Sequence, residues 1–144
     1  MKKITFITLL FLTCLARADD AQEADLSARI RALESKRDMA LLDTIFKGED
    51  MPIKDWMALS HEFQLMIAQG IDSISYREIY PVILEEIKNG IAIEGEHYEP
   101  NVKPYKMIEI KYKDGIKNGA AGFSIVVGER DGKLWVTGYR KTKK

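Results

Sequence analysis

Cysteine is almost missing from this chain. One residue of 144 is cysteine, Cys14, and it lies in the first apolar stretch. The core must therefore come from packing without disulfides, and beyond that stretch thiol catalysis and thiolate metal sites are excluded. Histidine is scarce too, with only His61 and His97. No second histidine follows His61-Glu62 at the spacing of a metalloprotease, and no phosphate-binding glycine loop or dinucleotide fingerprint occurs. Ser124 sits in no G-x-S-x-G elbow. No cofactor is expected. Long apolar runs are also missing. The uncharged run Ile4 to Leu15 covers twelve residues, about 18 Å as a helix against a hydrocarbon core of about 30 Å. No transmembrane span is expected.

That run still carries information. Lys2 and Lys3 precede it and Ala16-Arg17-Ala18 follows it, the order of a secretory signal peptide over residues 1–18. A lipid-bearing Cys14 would call for a small residue before it and a leucine three before it, where Thr13 and Phe11 stand. The expected cut is between Ala18 and Asp19. It leaves 144 − 18 = 126 residues, exported to the periplasm or secreted without a lipid anchor.

Net charge is absent from the whole chain, with 22 basic and 22 acidic residues, but its distribution is uneven. Residues 19–99 hold 8 basic and 18 acidic groups (−10), and residues 100–144 hold 11 and 4 (+7). Such a division can mark a polyanion-binding face. The simpler expectation is that the two halves attract each other in the fold.

The apolar pattern changes period near Gly90. Residues 19–25 are polar, a frayed lead-in to one domain over 26–140, with a basic tail at 141–144. Leu26, Ile30 and Leu33 predict an amphipathic helix. Asp38 suits the cap of a short helix carrying Met39, Leu42, Ile45 and Phe46. Pro52 and Gly70 bracket a third helix with Trp56, Leu59, Phe63, Met66 and Ile67 on one stripe. Ser75 and Glu78 match a capping box for a fourth, whose start moves toward Tyr80 because Pro81 sits too deep otherwise. Its buried face would be Val82, Ile83, Leu84 and Ile87. Ile91 to Ile93 suits a short strand, and "EGEHYEP" (94–100) a loop. Residues 105–112 alternate Ile108, Ile110 and Tyr112 against Met107, Glu109 and Lys111. Phe123, Ile125 and Val127 share a side in the next strand, and "KLWVTGYR" makes the last. Asp131-Gly132 is a two-residue hairpin signal, while the register of the 113–119 turn stays open. The expected class is α+β: N-terminal helices packed on a curved antiparallel sheet of three to four strands formed by the C-terminal half.

This order of elements, ending in "DGKLWVTGYR", resembles the nuclear-transport-factor-two-like, or cystatin-like, cone superfamily over roughly residues 24–140. Small exported domains of that kind often end in a D-G-x-W-x-V/I strand. Asp131-Gly132 matches it, with Trp135 one position later and Val136 directly after. The resemblance implies a pocket between sheet and helices, in which the superfamily's isomerases and dehydratases place acid or base residues. None of their catalytic motifs lies on this chain.

Candidate residues therefore come one by one. Glu109 or His61 would be the acid–base residue of a small cofactor-free enzyme if either faced an enclosed pocket. Glu94, Glu96, His97 and Glu99 have metal-like composition, but a solvated loop is the expectation and no metal site is assigned. Lys111, Trp135, Tyr139 and Arg140, with Tyr105, Tyr112, Lys106, Lys113 and Arg130 nearby, have the aromatic-plus-basic character of a surface for anionic ligands. The alternative is that aromatics favour strands and lysines protect sheet edges. Export argues against nucleic acid. The leading expectation is a non-enzymatic exported module that binds a protein, an anionic glycan or a small ligand through that surface or a cone pocket. The enzyme is the alternative, and an assembly protein forming homodimers by sheet pairing is the third.

Overall fold

A computed structural model describes residues 4–48, 51–115, 119 and 121–142, with side chains in the first helix described from Asp19 onward. Helix α1 spans Ile4–Lys36, a 3-10 helix spans Met39–Thr44, and α2 spans Ile53–Gln69. Strand β1 (Ile71–Arg77) and helix α3 (Pro81–Asn89) follow. The remaining strands are β2 (Ile91–Ile93), β3 (Glu96–Pro100), β4 (Lys103–Tyr112), β5 (Gly122–Arg130), β6 (Lys133–Val136) and β7 (Tyr139–Lys141). The protein is α+β, with a curled antiparallel four-stranded sheet ordered β1-β4-β5-β6 and a second sheet ordered β2-β3-β7. No helix among the described residues is long and apolar enough to cross a membrane.

The helices form where the apolar periods place them. Leu26, Ile30 and Leu33 are fully buried on α1. Asp38 caps the 3-10 helix, its carboxylate accepting from the Ala40 N–H at 2.9 Å. Leu59, Phe63 and Met66 of α2 are buried, with Trp56 and Ile67 packed beside them. These side chains cover one face of the sheet, meeting Ile71, Ile108, Ile110, Tyr112, Val127, Leu134 and Val136 in the main core. Phe63 meets the edge of Phe123 at 5.6 Å between ring centroids. Asp131-Gly132 forms the β5–β6 turn with both residues at positive φ (54° and 73°), as a type I′ hairpin requires.

The charge division becomes a set of ties between the two halves. Lys106 Nζ reaches Glu23 at 2.6 Å, Arg140 reaches Glu99 at 2.9 Å, and Lys141 reaches Glu96 at 3.1 Å. Tyr105 Oη joins the Glu23 carboxylate at 3.1 Å, and Tyr76 Oη donates to the Glu23 carbonyl at 2.9 Å. Residues 19–25 are thus not a frayed lead-in but part of α1, held against β1 and β4 through Glu23.

Four other expectations change. Ser75 is not a cap residue, because Ile71–Arg77 is a strand paired with β4, Ser75 opposite Glu109. Only Ile87 of the expected α3 face is buried; Ile83 and Leu84 are half-buried, and Val82 is 62% exposed. Residues 96–100 are a strand rather than a loop, paired with β2 and β7. "KLWVTGYR" is two strands, β6 and β7, divided at Thr137-Gly138 and belonging to different sheets. The 113–119 turn lies partly outside the described residues, as do Lys143 and Lys144 of the tail.

Candidate functional site: an apolar cleft beside an unpaired strand edge

The break at Thr137-Gly138 creates the site. β6 pairs with β5 from Val127 to Arg130. After Val136 the chain turns away, its course set by Asn101, which is buried beside β4. Asn101 Oδ1 accepts from the Gly138 N–H at 3.0 Å, its own N–H donates to the Gly138 carbonyl at 3.0 Å, and its Nδ2 donates to the Lys47 carbonyl at 2.5 Å. A Cβ on Gly138 would stand 2.6 Å from the Phe46 ring, so the turn needs glycine for close approach. The Thr137 N–H donates to the Val126 carbonyl at 2.9 Å. Beyond that bond, no strand among the described residues pairs with Phe123–Ile125 on the side away from β4.

A cleft of about 460 Å³ lies along this edge. Asp55, Ala58, Leu59 and Glu62 line it from α2, at the i, i+3, i+4, i+7 spacing of one helix face. Ile83 and Ile87 line it from α3, and Met107, Ser124, Ile125 and Val126 come from the sheet. Thr137 and Tyr139 close one side. On this outer face of the sheet, Ile87, Met107 and Val126 form a small buried cluster of their own, with Ile79 and Ile83 against it.

The cleft is apolar with a few polar groups directed at it, the usual composition of a ligand site. Thr137 is 8% exposed, and its Oγ1 is buried without a hydrogen-bond partner. Buried polar groups are normally paired, and an unpaired hydroxyl costs about 1–3 kcal/mol. The Tyr139 phenol is raised above its ordinary value, first by burial and then by Asp55 and Glu86, so it stays neutral and can donate. Neither Asp55 nor Glu62 has an ion-pair partner among the described residues. Among the described residues the lining holds two carboxylates and three hydroxyls but no cation.

Other residues singled out in the sequence lie elsewhere. Glu109 shares the outer sheet face but is held by Arg77, each side chain about one-third exposed (33% and 30%). Arg77 also stacks over Tyr80 at 4.5 Å. His61 is exposed on α2 beside Glu62. Neither Glu109 nor His61 lines the cleft. Of the expected basic and aromatic set only Tyr139 does. Trp135 lies in a separate depression with Arg29, Lys36 and Lys133, stacked under Arg29 (5.2 Å) and Lys47 (4.5 Å). Arg140 lies in a third depression near Glu129 and Arg130, and Lys111 is exposed on β4 opposite Ser73. Glu96 and Glu99 serve the cross-strand pairs already described, and the described residues hold no group of three or more metal-ligating side chains.

Asp55, Thr137 and Asn101 escape the sequence reading for different reasons. Asp55 shares a helical period with Leu59 and Glu62, a legible signal. Thr137 stands in a run that alternates like one strand, and Asn101 gains its role only from Gly138, 37 residues away. No protein-family model, no curated protein and no solved structure matches this chain, so the site is argued from its own residues.

Proposed function

We propose that this protein is a non-enzymatic binding module whose ligand lies in the cleft between α2, α3 and the free edge of β5. One observation carries the reading: an apolar cleft lined by Asp55, Glu62 and Tyr139, in which neither carboxylate has an ion-pair partner among the described residues. A ligand with an apolar body and a cationic or hydrogen-bond-donating end complements it. Asp55, Glu62 and Tyr139 would meet that polar end, and Leu59, Ile87, Met107 and Val126 the apolar body. Glu109 and His61, the acid–base candidates of the sequence, both lie outside the cleft lining, which favours binding over the isomerase- or dehydratase-like alternative built on them. Separation of Lys111, Trp135 and Arg140 favours the cleft over a basic aromatic surface as the ligand site.

Hexylamine and hexanoate make the direct test, each titrated into the protein while backbone amide resonances are followed. Hexylamine should shift Thr137, Val126 and Tyr139 saturably, and hexanoate should not. Combining Asp55→Asn with Glu62→Gln should weaken hexylamine at least about tenfold, about 1.4 kcal/mol. Absence of a saturable shift at these amides refutes the reading.

Export is part of the proposal, with cleavage after Ala18. The contacts described from α1 to the rest of the fold run from Gln22 to Glu34, so a cut there leaves them in place. Membership of the nuclear-transport-factor-two-like superfamily is likewise proposed, on the order of helices followed by a curled antiparallel sheet.

A further inference from the structure

We propose that the occupant of this cleft is an extended peptide from a partner protein, adding as a strand to the free edge of β5. The inference rests on the cleft reading above and names the ligand class.

The hydrogen-bond phase of β5 makes the edge available. The Tyr112 N–H donates to the Ala121 carbonyl, and pairs two residues apart share that phase. Phe123 and Ile125, opposite Ile110 and Ile108, therefore turn their main-chain groups toward β4. Ser124, opposite Glu109, turns its N–H and carbonyl the other way, as Val126 does when its carbonyl accepts from Thr137. Ser124 is exposed and lines the cleft. An unpaired edge of this kind is a template for another strand, and natural proteins usually cover or charge it. Here its own residues, Gly122 to Ile125, carry no charge, no strand among the described residues covers it, and the cleft runs beside it.

Shape and charge select the occupant. The α2 face stands on one side of the edge and Ile83 and Ile87 of α3 on the other. A lone extended strand is the narrower occupant for an edge flanked by two helices. Gly122 to Ile125 offers about 13 Å of edge at roughly 3.3 Å per residue, enough for about four residues. Main-chain bonds would supply affinity and alternate side chains specificity. Apolar side chains would meet Ile83, Ile87 and Leu59, and a lysine or arginine would meet Asp55 and Glu62, which have no cation of their own among the described residues.

The probes are a panel of acetylated hexapeptides alternating valine or leucine with threonine and carrying one lysine. A second set is N-methylated at alternate amides, in both phases, and binding is followed at the Ser124, Val126 and Thr137 amides. Members of the unmodified panel should bind, and N-methylation in one phase should weaken them at least tenfold. Ser124→Pro should do the same while the domain stays folded, because proline is tolerated where a strand's N–H faces away from the ladder. Hexylamine shifts at the cleft with no peptide bound would overturn strand addition and leave the cleft reading standing. Peptides bound equally well with either phase methylated would also overturn it, since side chains alone would then hold them. Neither hexylamine nor peptide binding would remove both readings.

Discussion

The two faces of the four-stranded sheet are made from the same strands yet are closed very differently. On the inner face, Ile108, Ile110 and Val127 are 0–1% exposed beneath α1, α2 and the 3-10 helix. On the outer face, Met107 and Val126 are 7% and 8% exposed and are covered by α3 and by Ile79 just before it. The reason lies in helix length. α2 has 17 residues and α3 has 9, so α3 brings one buried side chain, Ile87, to a sheet whose middle strand runs 10 residues. The face that carries the fold is packed on all sides, and the face that α3 leaves short is where a ligand has room.

Deletion of a large side chain on each face should break this comparison if it is mistaken. Phe63→Ala removes a fully buried ring from the inner core and should cost about 3–5 kcal/mol in urea unfolding. Ile87→Ala on the outer face should cost about 2 kcal/mol, the low end of its class, because its cluster is small and next to the cleft. Equal losses would mean that the outer cluster is as much a part of the cooperative core as the inner one.

Asn101→Ala should come next, at about 1–3 kcal/mol, since the Gly138 N–H and the Lys47 carbonyl lose their partner. The same variant should move the Thr137 and Val126 amide resonances. A loss of stability without movement there would separate the turn from the cleft.

Alkaline unfolding sharpens the inner side of the comparison. Burial pushes the phenols of Tyr76 and Tyr112 up to about 12 from an ordinary 10.0. The fold favours the neutral phenol, so the contribution is complete below pH 10.0 and is lost as pH rises toward about 12. Tyr76→Phe forfeits the bonds to Glu23 and Ser27, yet its melting temperature should fall less steeply than that of the native chain between these values. Parallel decline would discount Tyr76 as a source of alkaline sensitivity.

The smallest effect belongs to the outer-face ion pair. Glu109→Gln should cost less than about 1 kcal/mol, because both partners are about one-third exposed, and salt should reduce it further. A double-mutant cycle with Arg77→Gln measures the coupling directly. A coupling of several kcal/mol would place Glu109 in a drier setting than its exposure implies.

Much of the fold was legible because its cues are local. The α1 and α2 stripes, the Asp38 cap, Pro81 at the start of α3 and the Asp131-Gly132 turn each act within a few residues. β1 was not legible, and the cause is specific. An irregularity between Ile71 and Ser73 shifts its register, so Ile71 and Ile74, three apart, both join the main core and imitate a helical period. Ser75 and Glu78 then complete a false cap. β3 was hidden by its composition, since Glu96, His97 and Glu99 are poor strand formers. It is a strand because Arg140 and Lys141 arrive beside it from the far end of the chain.

The candidate site was less legible than the fold for the same reason. Tyr139 could be singled out as an aromatic in a strand, but its place in an acidic cleft depends on Asp55, 84 residues earlier. By itself the sequence determined the α+β class, the buried faces of α1 and α2, the last hairpin and the exclusion of thiol chemistry beyond position 14, all consequences of residue type and short-range spacing. Tertiary structure alone decided that "KLWVTGYR" divides between two sheets, because the buried Asn101 bonds Gly138 and β7 pairs with β3 instead of β5. That division leaves Ser124 at an unpaired edge, and an edge exists only in relation to the strand that is not there to pair with it.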